Sequence, residues 1–168
     1  MRDCNSIRLD SRVPLTRVIF LCIGNSCRSQ MAAGFARAYG SDVFEVESAG
    51  LAPAMLVSSL TRKVMLEKNI DVGDEFPKGF DMADLPAADM IVNMSGHPLP
   101  DGIDAEIEAH VETWAVRDPI GESEAVYREV RDQIEQRVMR LILKLRAQNT
   151  PAPAEGAIVD THGRTPRQ

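Results

Sequence analysis

A short apolar segment near the start of the chain constrains the fold more than any other part of the sequence. Residues 18–21 (VIFL) are four consecutive apolar residues, and they are followed by a glycine-containing loop and a helix-forming stretch. A short continuous apolar run is typical of a strand that is covered on both faces. Strand and helix signals then alternate along the chain, which predicts an α/β fold. We expect a three-layer sandwich with a parallel sheet and helices on both faces.

Hydrophobic periodicity predicts four strands and three helices. The strands are expected at residues 18–21, 43–49, 89–94 and 110–115, and the helices at residues 29–39, 58–68 and 123–146. The last helix carries the clearest apolar stripe, and Ser123 is suited to cap its start. Asn69 is a suitable left-handed stop for the second helix. Parallel sheets bind ligands at the carboxyl ends of their strands, so the loop after the first strand is the first candidate site.

The composition is that of one globular domain with polar ends. The chain has 168 residues, of which 44% are hydrophobic and 26% are charged. We predict a flexible arm over residues 1–15, a catalytic domain over residues 16–146 and a disordered tail rich in Pro, Ala, Gly and Thr over residues 147–168. The net charge of −6 argues against nucleic acid and against an anionic membrane surface as partners.

Cysteine usage and the lack of targeting signals favour a cytoplasmic protein. The sequence has no apolar run of the ~18 residues that a membrane span needs. Its first fourteen residues lack the apolar core of a secretory signal. Three cysteines are too few, and odd in number, for a disulfide framework. His97 and His110 show no metal-ligand spacing with a cysteine, so we predict neither a metal site nor a cofactor.

The loop after the first strand combines Cys22 and Arg28 in the spacing C-x5-R. Between a strand and a helix, consecutive backbone N–H groups can form a nest that binds an anion. Gly24 and Asn25 both permit a tight or left-handed bend. The planar fork of Arg28 matches two oxyanion oxygens, and such a positive field favours the nucleophilic thiolate. The alternative is a structural core cysteine beside a surface arginine.

The segment VIFLCIGNSCRSQMAAGFA, residues 18–36, resembles the phosphate loop of the low-molecular-weight protein tyrosine phosphatases and the related arsenate reductases. Further segments resemble this family in the correct order: ESAG, LEKNIDVGDEF, ADMIVNMS and RDP. The resemblance as a whole extends over residues 17–146. The resemblance implies a four-stranded parallel sheet with the flavodoxin-like order 2-1-3-4.

The resemblance also implies roles for individual residues. Cys22 would be the nucleophile and Arg28 would hold the transition state. Asp118 would be the general acid, a role that a carboxyl group on a loop can fill. The predicted phosphate-binding loop comprises Ile23, Gly24, Asn25, Ser26, Cys27 and Ser29.

Four polar side chains are expected to support this loop. Ser29 would donate a hydrogen bond that helps to hold the thiolate of the nucleophile. Asn25 would hold the strained loop backbone, with assistance from Ser48. Cys27 would be a redox partner that pairs reversibly with the nucleophilic cysteine.

Two activities fit the resemblance, and phosphomonoester hydrolysis is the leading interpretation. It would proceed through a cysteinyl-phosphate intermediate on phosphotyrosine in a protein or on small aryl phosphates. Residues 94–100 (MSGHPLP) contain no cysteine, whereas thioredoxin-coupled arsenate reductases use two further cysteines in that region.

The alternative is an arsenate reductase that uses an external thiol. Gln30 stands where many of the phosphatases have proline, and Ile120 stands where they usually carry an aromatic residue. A third hypothesis is a non-catalytic module that binds an oxyanion. The joint presence of Cys22, Arg28 and Asp118 argues against that third hypothesis.

Overall fold

Strands and helices alternate through most of the chain. The computed structural model describes residues 13–83, 85–101, 103 and 109–150. In chain order the main elements are β1 (Thr16–Cys22), α1 (Arg28–Tyr39), β2 (Phe44–Gly50), α2 (Ser59–Leu66), β3 (Met90–Asn93), β4 (His110–Thr113) and α3 (Glu124–Asn149). Two 3-10 helices, Phe80–Met82 and Leu85–Ala87, lie between α2 and β3. The four predicted strands and three predicted helices are therefore all present.

The four strands form one parallel sheet in the order β2-β1-β3-β4, which confirms the predicted order 2-1-3-4. The central strand β1 ends at Cys22, which pairs with Gly50 at the end of β2. On its other side Leu21 pairs with Asn93, the last residue of β3. The carboxyl ends of three strands thus meet at one edge of the sheet, and the predicted nucleophile lies at that edge.

Alternate residues of β1 face two separate hydrophobic clusters. Val18 and Phe20 belong to the larger cluster, which contains residues from all three α-helices. Ile19 and Leu21 belong to the smaller cluster, which contains Phe80 from the first 3-10 helix. Burial on both faces explains why the β1 sequence is a continuous apolar run instead of an alternating one. The predicted α/β class, with helical segments over both faces of the sheet, is confirmed.

The helix ends follow the predicted signals with two differences: α2 ends at Leu66, two residues before the predicted end, and α3 is longer than predicted. Asn69 has a φ of 58°, so it does take the left-handed conformation after α2. The Ser123 hydroxyl accepts a hydrogen bond from Val126 N at 3.4 Å and caps α3 as predicted. The helix α3 continues to Asn149, beyond the predicted end at Arg146, because the intervening residues are compatible with a helix.

Parts of the predicted organisation fall outside this description. Residues 1–12 of the predicted arm and residues 151–168 of the predicted tail lie outside the described residues. Within the described part of the chain, no helix has the length and apolar content to cross a membrane.

Candidate active site

The thiol of Cys22 lies at the end of β1, directly in front of the first turn of α1. It is buried, and its Sγ is 3.0 Å from the hydroxyl oxygen of Ser29. The Ser29 oxygen also accepts a hydrogen bond from Asn25 Nδ2 at 2.8 Å. Because Asn25 donates to that oxygen, the hydroxyl proton of Ser29 is available for the sulfur. This chain of two hydrogen bonds orients Ser29 to stabilise a thiolate at Cys22.

Asn25 is the residue at which the loop reverses direction. Its φ is 48°, so the left-handed residue of the loop is Asn25 and not Gly24. Asn25 Oδ1 accepts hydrogen bonds from the backbone N of Lys78 at 2.9 Å and from Gln30 Nε2 at 3.3 Å. Gln30 Nε2 also donates to the backbone oxygen of Asn25 at 3.1 Å. Ser48 is buried on β2 but is not among these partners, so its predicted assistance stays a prediction.

Backbone hydrogen bonds hold the loop from outside. The carbonyl oxygens of Cys22, Ile23 and Gly24 accept from the backbone N–H groups of residues 51, 52 and 54 at 3.1, 2.8 and 2.9 Å. Since the C=O and the following N–H of a trans peptide point in opposite directions, carbonyls that bond outward leave the next N–H groups directed inward. This arrangement is what an anion-binding nest requires.

The Ser26 side chain and the end of β2 complete the support. Ser26 Oγ donates to Leu56 O at 2.9 Å and accepts from Ser58 N at 3.0 Å. On the other side, a Cβ at Gly50 would lie 2.7 Å from both Asn25 N and Ile23 O. Only glycine therefore allows β2 to approach the loop this closely.

Arg28 is almost fully buried, and three acceptors fix its guanidinium. Its Nη1 donates to Met94 O at 2.7 Å and to Val116 O at 3.2 Å, and its Nη2 donates to Asp118 Oδ2 at 2.8 Å. An arginine has five N–H donors, so the described contacts leave Nε–H and one Nη2–H. These two N–H groups form one edge of the guanidinium and match two oxygens of a tetrahedral oxyanion. Arg28 is thus held in place before a ligand arrives.

Asp118 lies at the mouth of the site, where the resemblance predicts a general acid. Its side chain is 39% exposed, whereas that of Arg28 is 4% exposed. Its second oxygen, Oδ1, accepts from the backbone N of Ile120 at 3.2 Å. The structure therefore brings together Cys22, Arg28 and Asp118, the three residues predicted to be catalytic.

A cavity of about 240 Å³ connects these groups. Its described lining consists of Cys22, Ile23, Gly24, Ser26, Cys27, Arg28, Ala54, Asp118 and Ile120. The described lining contains no aromatic side chain, and it includes the aliphatic residues Ala54 and Ile120.

Tyr127 is a residue near the site that sequence reasoning missed. Its hydroxyl oxygen is 3.5 Å from Cys27 Sγ and 3.0 Å from Ser58 Oγ. Burial raises the pKa of Cys27, and burial raises the pKa of Tyr127 to about 12. The available signal was that Tyr127 precedes Val130 and Ile134 at helical spacing, so it shares the buried face of α3.

The family model described as low molecular weight phosphotyrosine protein phosphatase matches residues 17–150. The chain belongs to this family. The family resemblance found in the sequence is thus confirmed. The expectation that the chain belongs to an enzyme family is confirmed with it.

Two similar proteins carry the name arsenate reductase. An arsenate reductase of Bacillus cereus (strain 03BB102) is 36% identical over 125 residues, covering 73% of this chain and 91% of the relative. A glutaredoxin arsenate reductase of Synechocystis sp. is 34% identical over 134 residues, covering 78% of this chain and 99% of the relative. These similarities favour arsenate reduction, the alternative interpretation, over phosphomonoester hydrolysis, the leading one.

Solved structures of the family support the same comparison. An arsenate reductase in the phosphate-binding state superimposes with a TM-score of 0.70 at 34% identity, covering 78% of this chain and 99% of the other. The YwlE arginine phosphatase of Geobacillus stearothermophilus gives a TM-score of 0.66 at 27% identity, covering 79% of this chain and 94% of the other. Phosphatase activity is therefore supported at the level of the family.

Proposed function

We propose that this protein is an arsenate reductase that takes its electrons from an external thiol. The observation that carries the proposal is a C-x5-R loop with a preorganised arginine in a cavity whose described lining contains no aromatic side chain. Such a site binds a small tetrahedral oxyanion through the loop alone and offers nothing that selects an aromatic ester. The similarity to proteins named arsenate reductase supports the same substrate.

The proposed first chemical step uses the three side chains that meet in the cavity. The Cys22 thiolate attacks arsenic, and an As–O bond breaks as the S–As bond forms. Arg28 holds two of the remaining oxygens, and Asp118 supplies the proton that lets the departing oxygen leave as water. The product of this step is an arsenate ester of Cys22 in which arsenic is still pentavalent.

Reduction then requires a second thiol. When an external thiolate attacks the sulfur of Cys22, a disulfide bond forms and the S–As electron pair moves to arsenic, which leaves as trivalent arsenite. A second external thiol attacks this mixed disulfide and returns Cys22 to its thiolate form. Two thiols are oxidised to one disulfide, which balances the two electrons that arsenic gains.

An external thiol is proposed because the segment after β3 carries no cysteine. Residues 94–100 contain Ser95 and His97 but no thiol, and the free cysteines in the described part of the chain are Cys22 and Cys27. If Cys27 attacked the Cys22 sulfur, the product would be a disulfide within the loop, and an external thiol would still be needed to reduce it. A reducing compartment with abundant small thiols would supply the missing donor.

The test is arsenite formation from arsenate in the presence of dithiothreitol, glutathione or a glutaredoxin. We expect turnover with at least one of these donors and none with the Cys22→Ser variant. Cys4→Ser, which changes a cysteine of the N-terminal arm, is the matched control and should turn over at the wild-type rate. Absence of arsenite with every donor, from protein that still binds phosphate, would reject the proposal.

Phosphomonoester hydrolysis is the second candidate, because Asp118 lies beside Arg28 at the mouth, where a general acid would act. Aryl phosphate hydrolysis should be measured on the same preparation. If this activity operates, Asp118→Asn should slow esters with poor leaving groups far more than nitrophenyl phosphate, by roughly 10²–10⁴-fold. Equal slowing of all esters would assign Asp118 a structural role.

A further inference from the structure

Three side chains from three parts of the chain form a buried polar chain behind the phosphate-binding loop. Cys27 comes from the loop, Ser58 precedes α2, and Tyr127 comes from the first turns of α3. Tyr127 is 2% exposed and Cys27 is 3% exposed. Tyr127 is the central member of this polar chain, because its hydroxyl contacts both Cys27 and Ser58.

The direction of these hydrogen bonds follows from the chemistry of the groups. A tyrosine hydroxyl has one proton to donate, whereas a sulfur is a weak acceptor that improves on ionisation. Ser58 Oγ can donate to the tyrosine oxygen, which leaves the tyrosine proton for the sulfur of Cys27. The arrangement is therefore suited to stabilise the thiolate form of the buried Cys27.

We propose that the Tyr127 hydroxyl is a positioning group that controls how readily the Cys27 thiol closes a disulfide with an oxidised Cys22. Cys22 and Cys27 line the same cavity, and the charge of Cys22 acts on Cys27, so the two residues are neighbours in the loop. The proposal is independent of whether arsenate or a phosphoester is the substrate, because it concerns only the thiols of the loop.

The redox step balances with hydrogen peroxide as the oxidant. The Cys22 thiolate attacks one peroxide oxygen, the O–O bond breaks, and Cys22 becomes a sulfenic acid while hydroxide leaves. The Cys27 thiolate then attacks the Cys22 sulfur, so that the S–S bond forms and the S–O bond breaks. The second hydroxide takes up a proton and leaves as water.

The groups that face Cys27 come from each element packed around it. Tyr127 faces it from α3, Thr61 from α2, Ser26 from the loop and Cys22 from β1. Burial raises the pKa of Cys27, the hydroxyls of Thr61, Tyr127 and Ser26 oppose that rise, and the Cys22 charge adds to it. Asp118 is the further charge that acts on the tyrosine. Removing the Tyr127 hydroxyl should therefore raise the Cys27 pKa further.

The first experiment isolates Cys27. In a Cys4→Ser/Cys22→Ser background Cys27 is the one remaining cysteine, and its alkylation by iodoacetamide can be followed against pH by mass spectrometry. Tyr127→Phe should move the midpoint of this profile upward by about one pH unit, which corresponds to the loss of one hydrogen bond to a charged group. Tyr39→Phe is the matched control, since the Tyr39 hydroxyl donates to Glu135 on α3, and its midpoint should not move.

The second experiment measures disulfide closure in the Cys4→Ser protein after one equivalent of peroxide. A pKa raised by one unit leaves about a tenth of the thiolate but makes that thiolate about threefold more nucleophilic. Closure should thus be about threefold slower in Tyr127→Phe at neutral pH. Ser58→Ala, which leaves the tyrosine in place, should slow closure by a smaller factor.

A merely structural role for Tyr127 gives a different result. If the tyrosine only filled space, the phenylalanine ring would fill the same space, and neither the alkylation midpoint nor the rate of closure would change. An unchanged or lowered midpoint in Tyr127→Phe, with phosphate binding retained, would overturn the proposal. Faster closure in both Tyr127→Phe and Ser58→Ala would overturn it as well.

Discussion

Substitution of Asn25 separates two contributions that one residue makes to the phosphate-binding loop. It supplies a left-handed backbone and three side-chain hydrogen bonds, with Ser29, Gln30 and Lys78. Asn25→Gly keeps the backbone conformation and deletes the hydrogen bonds. At ~1 kcal/mol for each bond, the free energy of unfolding should fall by about 3 kcal/mol. Asn25→Ala should lose a further ~1 kcal/mol because its Cβ disfavours the left-handed region.

The assay is urea denaturation of the wild-type protein and both variants, together with phosphate binding by calorimetry. Both variants should bind phosphate more weakly, because Ser29 and the loop backbone are no longer held. Asn69 is the matched control, because its backbone is also left-handed but it follows α2 and is not part of the loop. Asn69→Ala should be less stable than Asn69→Gly by a similar ~1 kcal/mol without a change in phosphate affinity. Equal stability of Asn25→Ala and Asn25→Gly would refute the strain argument.

Three further predictions concern the nucleophile, the arginine and acid stability. Cys22→Ser should abolish turnover but retain phosphate binding, and more than a few per cent of the wild-type rate would contradict its role. Arg28→Lys should be nearly as damaging, as measured by turnover and phosphate affinity, because an ammonium group cannot keep three contacts and present a fork. Arg128 and Arg131 lower the pKa of Glu67 from 4.5 to about 2, so its contribution to stability is present above pH 4.5 and is lost as the pH falls toward 2. Urea denaturation of Glu67→Gln across this range should show a smaller loss than the wild-type protein.

Local sequence signals were sufficient for the strands and helices, whereas the strand order followed from the family resemblance. The apolar run of β1 predicted a strand buried on both faces, and its alternate residues do face two clusters. Ser123 and Asn69 marked helix ends because capping and left-handed stops depend on one residue and its immediate neighbours. The end of α3 was placed too early, since nothing in residues 147–149 stops a helix and only the following Thr150 leaves it.

The site was predictable only where its residues are close in sequence. Cys22 and Arg28 are joined by one loop, so their spacing carried the signal. Asp118 was found through the family resemblance, because its contact with Arg28 spans 90 positions. Tyr127 contacts Cys27 across 100 positions, and no periodicity connects them.

The choice between the two activities also lay beyond the sequence pattern. The missing cysteines after β3 favoured a phosphatase, whereas the similarity to proteins named arsenate reductase favours the alternative. Arsenate and phosphate are both tetrahedral oxyanions of similar charge, so the loop residues do not distinguish the two proposed substrates. The two activities differ in the group that attacks the Cys22 intermediate in the second step. An external thiol is not part of the chain, so the sequence does not show it.

Gly50 makes the pairing of β1 with β2 a condition for a working site. In the observed register Gly50 lies opposite Cys22, and the loop backbone occupies the space where a Cβ would be. A shift of β2 by one residue would bring Ala49 or Leu51 to that position and push the loop open. A molecule with a misaligned sheet would therefore also be catalytically silent. The turnover rate per mole of protein therefore reports the fraction of molecules whose sheet is correctly aligned. Folding studies of this protein can use that rate in place of a spectroscopic signal.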